Sequence, residues 1–323
     1  MSFSPDADPL NWFAASVMTI NGVFGITCNT LIIASFIRSP TERTSFNLIC
    51  SYRAVGNCII LLWGFLGTFV PITLFGDTLF PPIYQFIVLT CVNSLYAGLQ
   101  YCGFLIAINR FCAMYIPMFY STLFGVKITF ILTTLIFVYR IVKIIMELIH
   151  YIPLQCFSSF SSYDISWAPA MDERCRKYGG VVDESLLILG TLVAINCATF
   201  VKIYLFYKAT ELDSREVKEK MKKNRILFIQ TIIQDLTYII DLIFTFQLSG
   251  LISARYWTFI SGSFIWQCVH SFDGLIMIMF NEKLTLFKRS FFSSSSDVQS
   301  VAPATKLFDT VATNRNYNVS PIG

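Results

Sequence analysis

The residues able to do chemistry in this sequence are polar and charged groups set inside long apolar runs. No charge falls between Thr78 and Arg110, yet Asn93, Tyr96, Gln100, Gly103, Ala107 and Arg110 recur at three- and four-residue intervals, which puts them down one face of a helix. Polar groups occupy one half of that face, small residues the other, and an arginine closes it. A second stripe carries Gln230, Gln234, Thr237 and Asp241, with Asp235 beside it, and a third carries Trp266, His270 and Asp273. Such groups are expensive inside hydrocarbon, face the interior of a bundle, and mark binding or coupling sites.

The chemistry they suit is recognition: a ligand surface at the polar end of the first stripe and a coupling cation at its far end. The plainer reading of the upper polar residues is a satisfied seam between helices. Asp235, Asp241 and Asp273, once buried, need a proton or a cation, and Arg53, Arg140 and Lys143 are candidate partners. His270, a lone histidine in an apolar run, reads first as a hydrogen-bonded structural residue. Nothing has the spacing of a metal-ligand cluster, a phosphate loop or a nucleophile elbow. No catalytic residue, metal or cofactor is expected, and the chain is not read as an enzyme.

Composition dictates what must position these groups. The chain has 323 residues, 55% hydrophobic, 16% aromatic and only 14% charged, with a mean hydropathy of +0.61. An ordinary globular chain is about 25% charged, so a water-covered surface, disorder and a nucleic-acid partner are all disfavoured. Ten cysteines are too sparse for a secreted disulfide scaffold. Apolar segments long enough to cross a bilayer occupy residues 12–36, 46–75, a stretch within 78–109, 128–149, 185–207, 226–248 and 256–281.

The fourth segment carries Arg140, Lys143 and Glu147, which share one helical face and can partly neutralise one another. Orientation argues for keeping it. With seven spans and the amino end outside, 16 Lys and Arg face the cytoplasm and four (Arg174, Arg176, Lys177 and Arg255) face out. Dropping the fourth span would send the basic connection 208–225 outward, against the positive-inside rule. The expected fold is an all-α membrane protein, a seven-transmembrane helix bundle. Residues 1–11 form an extracellular amino end, 12–281 the transmembrane domain and 282–323 a cytoplasmic tail.

Outside the bilayer, the connection 151–184 holds Cys156 and Cys175, its only two cysteines, which are expected to bridge in preference to remaining thiols, and the aromatics Phe157, Phe160, Tyr163 and Trp167. Inside, residues 211–225 alternate charges as a helix extending beyond the membrane does. Residues 283–292 mix basic and apolar side chains, suiting an amphipathic helix along the lipid headgroups. The serine run from Ser293 to Ser296 is either a phosphorylatable stretch, open to a kinase or an arrestin, or simply a disordered end.

Several of these stretches resemble, in order, the nematode seven-helix chemoreceptors called serpentine receptor class x, a branch of the G-protein-coupled receptors. Gly25-Ile-Thr-Cys-Asn29 resembles the Gly/Asn motif of receptors generally, and residues 45–57, ending Tyr-Arg-Ala-Val-Gly-Asn57, are similar to the class's second-span signature. Asn109-Arg-Phe-Cys-Ala-Met-Tyr-Ile-Pro-Met-Phe-Tyr120 resembles its most specific motif. Cys156 to Cys175 fits its outer loop, and Phe228-Ile-Gln230 and His270 to Asn281 look like its sixth and seventh spans.

The resemblance implies a chemosensory receptor in the plasma membrane of sensory neuron cilia. It would bind a small environmental or pheromone-like molecule and activate a heterotrimeric G protein. It implies coupling through Asn109, Arg110 and Phe111, a polar structural core of Asn29, Arg53, Asn57, Asp273 and Asn281, and a Cys156–Cys175 bridge. The ligand pocket is expected among Asn93, Tyr96, Gln100, Gln234, Asp241, Trp266 and His270. Departures from rhodopsin-like receptors are visible: Asn109 replaces the acid before the arginine, Phe280-Asn281 ends the seventh span, and Gln85 stands where those receptors place a bridging cysteine. The alternative function is a cation- or proton-linked transporter or channel using the intramembrane carboxylates.

Overall fold

Asp8 starts the first helix: its carboxylate accepts the Leu10 N–H at 2.8 Å, and Pro9 fills a position where no donor is needed. The computed structural model describes residues 8–168, 175, 181–209 and 215–280. Helix α1 (Pro9–Arg38) stops before Ser39-Pro40, and α2 (Ser45–Phe75) starts on a Thr44 cap and ends at Gly76, whose φ of 94° suits glycine. There follow α3 (Pro82–Tyr115), α4 (Val126–Leu154), α5 (Glu184–Leu205), α6 (Arg225–Leu251) and α7 (Arg255–Phe280). All seven are long and apolar enough to span a bilayer, as the sequence reading expected. The α6 helix continues back to Arg215, and α5 runs on to Ala209. The amphipathic-helix reading for 283–292, Asn281 and the serine run lie outside the described residues.

Burial divides the bundle. Helices α3 and α7 are the most enclosed and α4 the least. Ile131, Leu135, Val138, Val142 and Ile145 leave a broad apolar face of α4 exposed. Of the three charges of α4, Arg140 is the buried one, while Lys143 and Glu147 are half-buried, and both cations act on the Glu147 carboxylate as the shared face suggested. Arg140 Nη1 pairs with Glu184 of α5 at 2.8 Å, and its Nε donates to the Ser94 carbonyl and hydroxyl of α3, both at 3.1 Å. Arg140 thus meets two neighbouring helices as well as its own.

Three segments wind more loosely as π-helix: Ile60–Phe69 in α2, Ile243–Leu248 in α6 and Phe259–Phe264 in α7. In α2 the loosening precedes Pro71, which has no N–H to donate, and the Val70 N–H reaches back to the Phe65 carbonyl. All three lie near one end of the bundle. That end is covered by a hairpin of two antiparallel strands, β1 (Ser159–Ser161) and β2 (Ser166–Ala168), with Phe160 opposite Trp167. It is called the hairpin end below, and the opposite one the Arg110 end.

Gln85 ties the hairpin to the head of α3. Its Oε1 accepts the Phe160 N–H at 3.1 Å, and its Nε2 donates to the carbonyls of Asp77 and Phe80 at 2.9 and 3.0 Å. Ser162 N–H donates to the Asp77 carboxylate, Asn11 Nδ2 donates to the carbonyls of Thr73 and Ser162, and Ser263 Oγ donates to that of Ile165. Ile165, β-branched yet left-handed at φ 52°, is completely buried and held by that last bond. Cys156 and Cys175 form a disulfide behind the hairpin.

Arg255 at the start of α7 finishes the clasp. It pairs with Asp8 at 2.7 Å, donates to Asn11 Oδ1 at 2.9 Å and to the Tyr163 carbonyl at 2.6 Å, and lies over the Tyr163 ring. The hydrogen bond from Arg255 holds the Asp8 carboxyl below its ordinary range. With the folded value depressed, the stabilisation is full above the unfolded value of 3.8 and is lost as pH falls through the folded one. Asp8→Asn is therefore expected to lower Tm by about 1–2 °C at neutral pH, a partly exposed pair being worth little. Thermal unfolding in detergent should show that gap closing in acid; a gap unchanged at low pH would contradict the pairing.

Candidate functional site

Midway down the bundle, Arg53 of α2 and Asp273 of α7 form an ion pair of 2.7 Å with no exposure on either side chain. Asp273 also accepts Asn57 Nδ2 at 2.8 Å and Gln234 Nε2 at 2.6 Å. Since a carboxylate only accepts, Asn57 must aim its NH2 that way, which turns its Oδ1 toward His270 Nδ1 at 2.8 Å and makes that nitrogen the protonated one. Asn29 Nδ2 donates to the carbonyls of Gly25 (2.8 Å) and His270 (3.1 Å), while its Oδ1 faces Asn57 Nδ2 at 3.2 Å.

Glycines let α1 and α7 come close enough for this. A Cβ at Gly274 would stand 2.7 Å from Asn29 Nδ2, and one at Gly25 would collide with Ser271. Four of the five residues read as the polar core thus meet, joined by Gln234 and His270; Asn281 lies outside the described residues. Asp235 sits beside this set and takes a neutral partner, Asn196 Nδ2 at 2.7 Å.

Nearer the hairpin, a cavity of about 130 Å³ is lined by Asn93 and Tyr96 of α3, Trp167 of β2, Ser185 of α5, Asp241, Leu242, Thr245 and Phe246 of α6, and Gly262 and Trp266 of α7. Of the seven residues read as pocket candidates, Asn93, Tyr96, Asp241 and Trp266 line it. Gln234 and His270 belong to the polar core instead, and Gln100 is buried deeper along α3. All three share the right helical faces but lie one turn or more below the cavity floor, and periodicity reports face and not depth.

Tyr96 Oη donates to Asp241 Oδ2 at 2.7 Å. Trp167 and Trp266, 5.9 Å apart, join Phe65, Phe69 and Phe160 in one aromatic cluster above the core. Sequence reasoning named Trp167 only as a loop aromatic. Its strand alternation with Phe160, both directed inward, was the available signal; Ser185, Thr245, Phe246 and Gly262 carried none.

At the Arg110 end, a cavity of about 260 Å³ opens among α1, α2, α6 and α7, bordered by Glu42, Asn47, Tyr120 and Gln230. A neighbouring one of about 100 Å³ is floored by Asn109 and Arg110. Arg110 is 9% exposed and lies over the Phe46 ring at 4.6 Å, and its Nε and Nη2 have no hydrogen-bond partner among the described residues. Tyr120 Oη donates to Asn109 Oδ1 at 3.3 Å, and Phe111 stacks on Tyr115 at 4.3 Å. Phe46, the side chain that faces the arginine, was missed because contact across two helices leaves no mark in spacing.

Seven spanning helices around a polar core, with a cavity toward each end, make this a multi-pass integral membrane protein of the serpentine receptor type. The family model for the serpentine type 7TM GPCR chemoreceptor Srx matches residues 20–281, and the chain belongs to that family. Among its relatives is "Serpentine receptor class X 45" of Caenorhabditis elegans, 23% identical over 302 residues, covering 84% of this chain and 79% of that protein.

Breaking a buried ion pair leaves an unpaired charge, at a cost of about 3–5 kcal/mol, whereas replacing both partners by apolar groups is far milder. Arg53→Met and Asp273→Leu singly are expected to lose that much stability, seen as collapsed surface expression and Tm. The double variant should recover most of the loss in a double-mutant cycle. Additive single losses would mean the two side chains are not coupled.

Proposed function

We propose that this protein is a chemosensory receptor of the plasma membrane, in the cilia of sensory neurons, with its amino end and hairpin outside. A small molecule binds in the hairpin-end cavity and favours an arrangement in which the Arg110 end opens to the α-subunit of a heterotrimeric G protein. The ligand does this only if it binds that arrangement more tightly than the resting one. The observation that carries the reading is Arg110: a buried cation whose Nε and Nη2 have no partner among the described residues, flooring a cleft, inside the motif that resembles the family's most specific one. Donors left without acceptors in a dry site favour an incoming partner that supplies them. Membrane lipid surrounds the bundle, and the serine run from Ser293 to Ser296 is the proposed site for a kinase or arrestin.

The transporter or channel reading is not favoured. Asp273 is neutralised by Arg53, and Asp235 and Asp241 each hydrogen-bond to a neutral residue of another helix, Asn196 and Tyr96, which speaks for structural roles.

The test is a reporter cell expressing the chain, screened with volatile and water-soluble chemicals. Arg110→Ala should then lose about tenfold or more in agonist response at equal surface expression, the loss of an interaction worth at least about 1.4 kcal/mol. Undiminished signalling would contradict the coupling role.

A further inference from the structure

The hairpin-end cavity pairs a buried acid with aromatic walls. Asp241 is 4% exposed; its Oδ2 accepts from Tyr96, but its Oδ1, on the same cavity-lining side chain, has no hydrogen-bond partner among the described residues. Thr245 Oγ1, in the same lining, stands near the Asp241 carboxylate but donates to the Ser261 carbonyl at 3.3 Å. Among the described residues, no arginine or lysine lines the cavity. The buried arginines of the neighbourhood are already engaged, Arg53 by Asp273 and Arg140 by Glu184. Oδ1 is left without a donor at hydrogen-bond distance, and the carboxylate without a counter-charge, among the described residues. The remaining walls include the rings of Trp167, Trp266, Tyr96 and Phe246, and aromatic faces attract cations, Trp best of all.

We propose that this site binds a small organic ammonium ion, its N–H groups donating to Asp241 and its alkyl part against Trp167, Trp266 and Phe246. The proposal rests on the receptor reading above and specifies its ligand class. Size follows from the cavity: about 130 Å³ is well below the ~300–1,000 Å³ of drug-sized sites, which fits short alkylamines and excludes peptides and long lipids. An ammonium ion meets both needs of Asp241 at once. An alcohol supplies the donor without the charge, and an anion is repelled.

The experiment uses the full-length protein in lipid nanodiscs at neutral pH, with thermal unfolding as the readout. Isopentylamine and trimethylamine at millimolar concentration are compared with isopentanol, of matched shape, and with isovalerate. A ligand that binds only the folded state raises Tm in proportion to its affinity. The amines should raise Tm and the alcohol and acid should not. Asp241→Asn, which keeps an acceptor for Tyr96, should weaken the amine effect about 100-fold, the scale of losing a buried charge partner. Ser185→Phe, which leaves the acid intact but fills the cavity, should also abolish it, so the test survives poor folding of the first variant.

Equal stabilisation by isopentanol, amine binding retained in either variant, or no stabilisation by any amine would each overturn the assignment. A second arm follows nucleotide exchange on added G proteins. A neutral agonist that drives exchange while amines bind nowhere sinks the ammonium site and leaves the receptor reading standing. Asp241-dependent amine binding that drives no exchange on any α-subunit does the reverse.

Discussion

A guanidinium and a carboxylate held 2.7 Å apart with no exposure cannot be moved separately, and that constraint organises this bundle. Each ion alone would cost several kcal/mol in a dry interior, so the pair must form and its remaining lone pairs must be filled. Asn57 and Gln234 fill those of Asp273, His270 and Asn29 satisfy Asn57, and the chain of bonds ends on backbone carbonyls of α1 and α7. The donors come from α1, α2, α6 and α7. Satisfying one carboxylate thereby sets the register of four helices. Apolar packing could not do this alone, because lipid tails compete equally for every leucine face.

The hairpin end solves a different problem. A lid over a membrane bundle must be held without a large core of its own. Gln85 meets this need with three hydrogen bonds to backbone groups, from a position where rhodopsin-like receptors use a covalent bridge. Phe160 and Trp167 then drop between the helices, with Phe160 stacked on Phe69 at 4.9 Å, so the polar ties act on a lid already anchored by aromatic burial. Ile165 in a left-handed conformation is tolerated because burial and the Ser263 bond hold it in place.

The spans were legible because hydropathy and the positive-inside bias are sums over about 20 residues, which a few charges do not overturn. The fourth span, with Arg140 and Lys143 inside it, is the telling case. The inward faces of α3, α6 and α7 were legible too, since 3.6-residue periodicity survives tertiary packing. Pairings were not. That Arg53 meets Asp273, or Arg140 meets Glu184, depends on helix tilt and rotation, and π segments such as Phe259–Phe264 shift both locally. Depth was equally hidden. Gln234 and Asp241 share a stripe, yet one anchors the core and the other lines the cavity, because the hairpin sets how far the cavity reaches.

Helix α6 reaches from one cavity to the other. Leu227 and Gln230 border the large cavity at the Arg110 end, and Asp241 to Phe246 line the one beneath the hairpin. The 11 steps from Gln230 to Asp241 span about 16 Å of helix. Between those points α6 is bound by Gln234 to Asp273, by Asp235 to Asn196 and by Asp241 to Tyr96, each a single hydrogen bond to a neutral group or from one. Asp273 would keep Arg53 and Asn57 if Gln234 withdrew. The ties of Asp273 to α2 would therefore remain if α6 shifted, although Thr245 and Leu248 also bond to α7. A ligand charge beside Asp241 would act directly on one of the bonds of α6, and the other end of the same helix borders the cleft beside Arg110.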